Sequence, residues 1–133
     1  MESNYTVQVE EFANSHFIKN FEKKYKSHWA PSLDAVLTQL QFIDNLLNTD
    51  KADLVVSCDV LKIVKTQFRV FNTKESAKTS GNRCIIAVHE DLKLVKVLLM
   101  YTKTDIAQKN ETAAWKRLIK ENYPEYESIL LMI

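Results

Sequence analysis

Lys62-Ile63-Val64-Lys65-Thr66-Gln67-Phe68-Arg69-Val70 decides the fold when it is read with Arg83-Cys84-Ile85-Ile86-Ala87-Val88 and with the run from Leu94 to Lys103. In the first segment a two-residue period sets Lys65, Gln67 and Arg69 on one face and Val64, Phe68 and Val70 on the other. The second follows a polar loop that holds the chain's only glycine, Gly81. The third carries Tyr101 and Lys103 two residues apart, and therefore on a common face. Together they predict a three-stranded antiparallel meander with one buried face. The other face would present Lys65, Arg69, Arg83, Tyr101 and Lys103 as an anion-binding floor. Phosphate is the anion such a floor suits, and RNA or DNA is its carrier.

Upstream, Tyr5-Thr6-Val7-Gln8-Val9-Glu10 alternates as an opening strand. From Asn14 the period lengthens, and Phe17, Ile18, Phe21 and Tyr25 make a helical stripe. Trp29-Ala30-Pro31 ends that helix, with Pro31 suited to the first turn of the next. Leu33, Val36, Leu37, Leu40, Ile43 and Leu47 mark the second helix, so the two form an antiparallel hairpin. Asp53 to Cys58 has extended character without an assigned place. Downstream, Asn110 caps a helix bearing Trp115, Leu118 and Ile119, which ends before Pro124. The last ten residues, 124–133, form an apolar tail that either packs back on the core or covers a partner. The expected fold is α+β: strand, helix hairpin, three-stranded meander and C-terminal helix.

With 133 residues, 46% of them hydrophobic, the chain reads as one domain, 1–133, able to bury a core. No run approaches the roughly 18 apolar residues of a membrane span, and Met1 to Tyr5 lacks the features of a signal peptide, so a cytoplasmic location is expected. Cys58 and Cys84 read as buried free thiols. The formal net charge is only +1, but it is unevenly spread. Residues 1–53 carry 5 basic and 8 acidic side chains, 54–109 carry 10 and 5, and 110–133 carry 3 and 4. The basicity sits on the expected sheet.

The order of elements and three short motifs resemble the RelE/ParE superfamily of bacterial toxins, over roughly Tyr5 to Asn122. Lys65-Thr66-Gln67-Phe68-Arg69-Val70 is similar to the family's Lys-x-x-apolar-Arg strand. Ser80-Gly81-Asn82-Arg83-Cys84-Ile85-Ile86 is similar to its Gly-x-Arg strand start. Leu98-Leu99-Met100-Tyr101-Thr102-Lys103-Thr104-Asp105 is similar to its apolar strand ending in Tyr-x-Lys-x-Asp. The length, the apolar tail and the near-neutral charge depart from the family's shorter, more basic members.

The resemblance implies a toxin neutralised by a small antitoxin protein and acting on mRNA at the ribosome, with no cofactor. It equally admits a non-catalytic inhibitor of a protein target such as DNA gyrase. Metal-free RNA cleavage needs a base for the 2′-OH, cations for the phosphorane and an acid for the leaving 5′-oxygen. On this reading Lys65 and Lys103 serve as base or phosphate ligand. Arg69 and Arg83 clamp phosphate, Tyr101 stacks on a base or assists proton transfer, and Lys62 adds to RNA binding. The plainer reading stands beside it: solvent faces of antiparallel sheets carry Lys and Arg for solubility, and Tyr101 is a core aromatic. His89 is read as a surface residue beside a turn, or as an acid. No His, Cys and carboxylate cluster has metal-ligand spacing.

Overall fold

The computed structural model describes residues 4–106 and 109–133. Its centre is a five-stranded sheet in the order β1-β5-β4-β3-β2. The strands are β1 (Thr6–Val9), β2 (Ala52–Cys58), β3 (Leu61–Gln67), β4 (Asn82–His89) and β5 (Leu94–Thr102). The meander therefore has four strands: the unassigned segment after Asp50 is β2, antiparallel to β3 at the sheet edge. Its register shifts between Leu54 and Val56, and such a bulge makes an open edge a poor template for further pairing. β1 lies parallel to β5 at the other edge, so the first and last strands are neighbours.

Between β1 and β2 the chain forms α1 (Glu11–Ala13), a π-helical turn at Asn14–Ile18, α2 (Lys19–Tyr25), α3 (Trp29–Gln41) and α4 (Ile43–Leu46). Pro31 falls in the first turn of α3, where its missing N–H costs nothing. After β5 come α5 (Lys103–Ile106), α6 (Glu111–Asn122) and α7 (Glu127–Leu130). The Asn110 side chain accepts from the Ala113 N–H at 3.0 Å, the cap expected from sequence.

Both faces of the sheet are covered, which corrects the expectation of one open face. The helices before β2 pack on Val64, Cys84, Ile86, Val88, Val97 and Met100. Opposite, Trp115 and Ile119 of α6, with Tyr123, Tyr126, Ile129 and Leu130, pack on Ile63, Ile85, Ala87, Leu99 and Tyr101. A sequence signal for this existed. Cys84 to Val88 is apolar without a break, the mark of a strand buried on both sides, and every residue of β4 before His89 is buried. Period-2 reading overlooked it because both faces of that run are apolar.

The tail divides between its two expected fates. Ile129 and Leu130 are buried in the second core, while Leu131, Met132 and Ile133 are exposed. The helical stripe divides too: Ile18 and Phe21 join the first core and Phe17 the second. The two cysteines are free, but only Cys84 is buried, correcting the reading of two buried thiols. Burial also pushes the Cys84 thiol up to about 12. A thiol reagent at neutral pH should therefore modify one cysteine per chain, Cys58, and reach Cys84 only in denaturant. Rapid labelling of both in the native protein, followed by peptide mapping, would contradict this packing.

Candidate anion-binding site

Cross-strand register assembles the site. Gln67 of β3 lies opposite Arg83 of β4, and Arg83 opposite Tyr101 of β5. One row inward, Lys65 lies opposite Ile85, which faces Leu99. Lys65, Gln67, Arg83 and Tyr101 therefore share the sheet face that α6 covers. Gly81, with φ +78°, supplies the left-handed bend entering β4, and its carbonyl accepts the Lys103 N–H at 2.9 Å.

Arg83 is only 7% exposed. Its Nη1 donates to the Asn82 carbonyl at 3.2 Å, while its Nε is buried without a hydrogen-bond partner. The nearest counter-charge is Glu111, the first residue of α6, whose Oε2 lies 3.8 Å from that Nε. The same Oε2 accepts the Tyr101 hydroxyl at 2.7 Å. Tyr101 is fully buried, and burial first, then the bond to Glu111 and that carboxylate's charge, raise its pKa; Arg83 opposes them. At neutral pH Tyr101 is therefore a proton-bearing donor, with no exposed ring face on which a base would stack.

The remaining expected cations lie elsewhere. Lys62 has the opposite parity to Lys65 and pairs with Glu90 at 3.3 Å. β3 ends at Gln67, yet burial still alternates past it: Phe68 and Val70 join Val64 in the first core, with Arg69 between them. That side chain is exposed, its Nη2 donating to the Thr73 carbonyl at 3.4 Å, and it borders a cleft of about 340 Å³ with Lys51, Ser32 and Val36. Lys103 is exposed and begins α5, which corrects its expected place in the third strand of the meander. Its methylenes run beside Gly81. Of the five residues expected on one floor, Arg83 and Tyr101 meet through Glu111 and half-buried Lys65 is one row away. Arg69 and Lys103 flank that end of the sheet.

Glu111 is the residue sequence reasoning missed. The helix start was legible from Asn110, but nothing local indicates that the first turn lies over Arg83, a contact across 28 positions. His89 is half-buried, and its Nε2 lies 2.9 Å from the Tyr126 hydroxyl. Burial, with help from Lys96, lowers its pKa, while Asp91 and Glu125 pull the other way. It ties the far end of β4 to the C-terminal segment. Among the described residues no group of three or more His, Cys, Asp and Glu side chains is placed to hold a metal ion, and no helix is long and apolar enough to cross a membrane.

No protein-family model matches the chain, and no curated protein does. Among solved structures the chain is similar to the archaeal RelE–RelB complex from Pyrococcus horikoshii OT3, at 13% sequence identity and a TM-score of 0.45. The match covers 77% of this chain and 98% of that one.

Proposed function

We propose that the chain is the toxin of a toxin–antitoxin pair, that it cleaves mRNA on the ribosome, and that the Lys65, Arg83 and Tyr101 site beneath the start of α6 receives the scissile phosphate. The observation that carries this reading is Arg83, a buried guanidinium whose Nε has no hydrogen-bond donor contact to protein. A planar guanidinium binds phosphate oxygens in pairs, and a buried one does so with little screening. The three motifs shared with the RelE/ParE superfamily support the same assignment.

In the reaction, the 2′-oxygen attacks phosphorus and the phosphorus–O5′ bond breaks. The 2′-OH proton passes to a base, and O5′ takes a proton from an acid. Arg83 stabilises the charge on the phosphorane. Lys65, on the same face, is the candidate base or phosphate ligand. Tyr101, kept protonated by burial, is a hydrogen-bond donor to the phosphate. Arg69 and Lys103, which flank that end of the sheet, contact the flanking RNA backbone, whereas Lys62, on the opposite face and paired with Glu90, lies away from it.

The products should carry 2′,3′-cyclic or 3′-phosphate ends, and cleavage should survive chelation once the ribosomes' own Mg²⁺ is controlled. A 3′-hydroxyl product would overturn the 2′-OH route. The decisive experiment is to induce the chain in cells and map new mRNA 5′ ends. Inhibition without new ends would favour the second reading, a non-catalytic inhibitor of a protein target such as gyrase. One observation favours that alternative: a sheet covered on both faces shows proteins no convergent cationic floor.

The partner is a small antitoxin protein, and cytoplasmic action follows from the ribosomal target. Because α6 and α7 cover the Lys65, Arg83 and Tyr101 face, the antitoxin would meet their outer surface there rather than the sheet itself.

A further inference from the structure

Glu111 makes with its single Oε2 the two interactions that a phosphate oxygen would make at this site. It accepts the Tyr101 O–H at 2.7 Å and stands as counter-charge to Arg83 Nε at 3.8 Å. The first contact is a short hydrogen bond; the second is too long to be one, which leaves Nε orphaned. A buried guanidinium held so loosely is neutralised but unsatisfied. An incoming phosphate, with several oxygens, would satisfy it better than one carboxylate atom.

Placement supports the same conclusion. Glu111 opens α6, whose Trp115 and Ile119 anchor the helix in the second core. The carboxylate is thus delivered to Arg83 by the same element that covers this face. Its side chain keeps 19% exposure against 9% for Arg83, so it is the more easily withdrawn partner of the pair.

We propose that Glu111 is a built-in phosphate surrogate, a positioning residue that occupies the Arg83 and Tyr101 subsite and must be displaced before an RNA phosphate reaches them. The proposal rests on the reading of that face as an RNA-phosphate site. It gives the protein an internal brake: the site is masked by its own helix until substrate competes.

The test is Glu111→Gln, which removes the charge while its amide oxygen still accepts from Tyr101. A short single-stranded RNA with 2′-O-methyl riboses, which cannot be cleaved by 2′-OH attack, is titrated against both proteins by fluorescence anisotropy. E111Q should bind about tenfold more tightly. Its plot of log affinity against log salt should also steepen by about 0.7, the slope of one more phosphate contact on a single strand. Merely loosened packing would not add that slope. Should E111Q fold poorly by circular dichroism, Glu111→Met, close in length and uncharged, carries the same expectation.

Equal affinity and slope in wild type and E111Q, with Arg83→Lys weakening both, would overturn the brake and leave the phosphate site standing. Absence of RNA binding in both proteins would remove the site reading, and the brake with it. Loss of growth inhibition in folded E111Q with unchanged RNA affinity would make Glu111 a catalytic base, and that too overturns the proposal.

Discussion

Trp115→Ala should lower the free energy of unfolding by about 3–5 kcal/mol, the cost of emptying a fully buried aromatic site. Trp115 is 1% exposed and sits at the centre of the second core, between α6 and the strands bearing Ile85 and Leu99. A domain of this size has only about 5–15 kcal/mol in total, so this one change consumes much of it. Because α6 holds no other large buried side chain than Ile119, its detachment from the sheet should accompany the loss. The indole Nε1 is buried without a hydrogen-bond partner. Trp115→Phe therefore gives up no polar contact and should cost well under half as much. Urea unfolding of both variants measures this, and a loss below about 1 kcal/mol for the alanine variant would contradict the packing of α6.

Arg83→Ala should abolish growth inhibition and also cost about 1–3 kcal/mol, because it leaves the Glu111 carboxylate without its counter-charge. An exposed arginine would be removed at almost no cost to stability, so the size of the thermal shift itself reports where Arg83 lies. The two effects separate in the double variant Arg83→Ala/Glu111→Gln. There the charge left behind by the arginine is gone, so stability should recover by more than half while growth inhibition stays lost. Full toxicity of folded Arg83→Ala would end its assignment as phosphate ligand. Absence of any recovery in the double variant would show that the 3.8 Å pair is energetically silent.

Local physics made much of this architecture legible. The strands announced themselves by β-branched and aromatic runs between turn residues. Pro31 at the start of α3 and Asn110 before α6 marked helix starts because caps and first turns are decided by a few neighbouring residues. The alternation of β3 set Lys65 and Gln67 on one face, as the register bears out. Burial keeps alternating to Phe68, Arg69 and Val70 past the end of β3. Alternation failed at Lys103, which stands just beyond the end of β5 and begins a helix, where the two-residue period no longer applies.

What the sequence alone determined is thus the main elements and their order, without the place of β2 or the short α5, and the row of polar side chains across β3, β4 and β5. The tertiary structure decided what those side chains face. The solvation of Lys65 and Arg83 depends on whether another element covers their side of the sheet, and that element lies more than twenty positions downstream of Arg83. Docking α6 through Trp115 and Ile119 turned a surface arginine into a buried one and gave it Glu111 as its nearest charge. A periodicity of two or of 3.6 residues describes which way a side chain leaves its own backbone. It holds no information about the second layer that meets it, and here the second layer sets the charge, burial and access of the site.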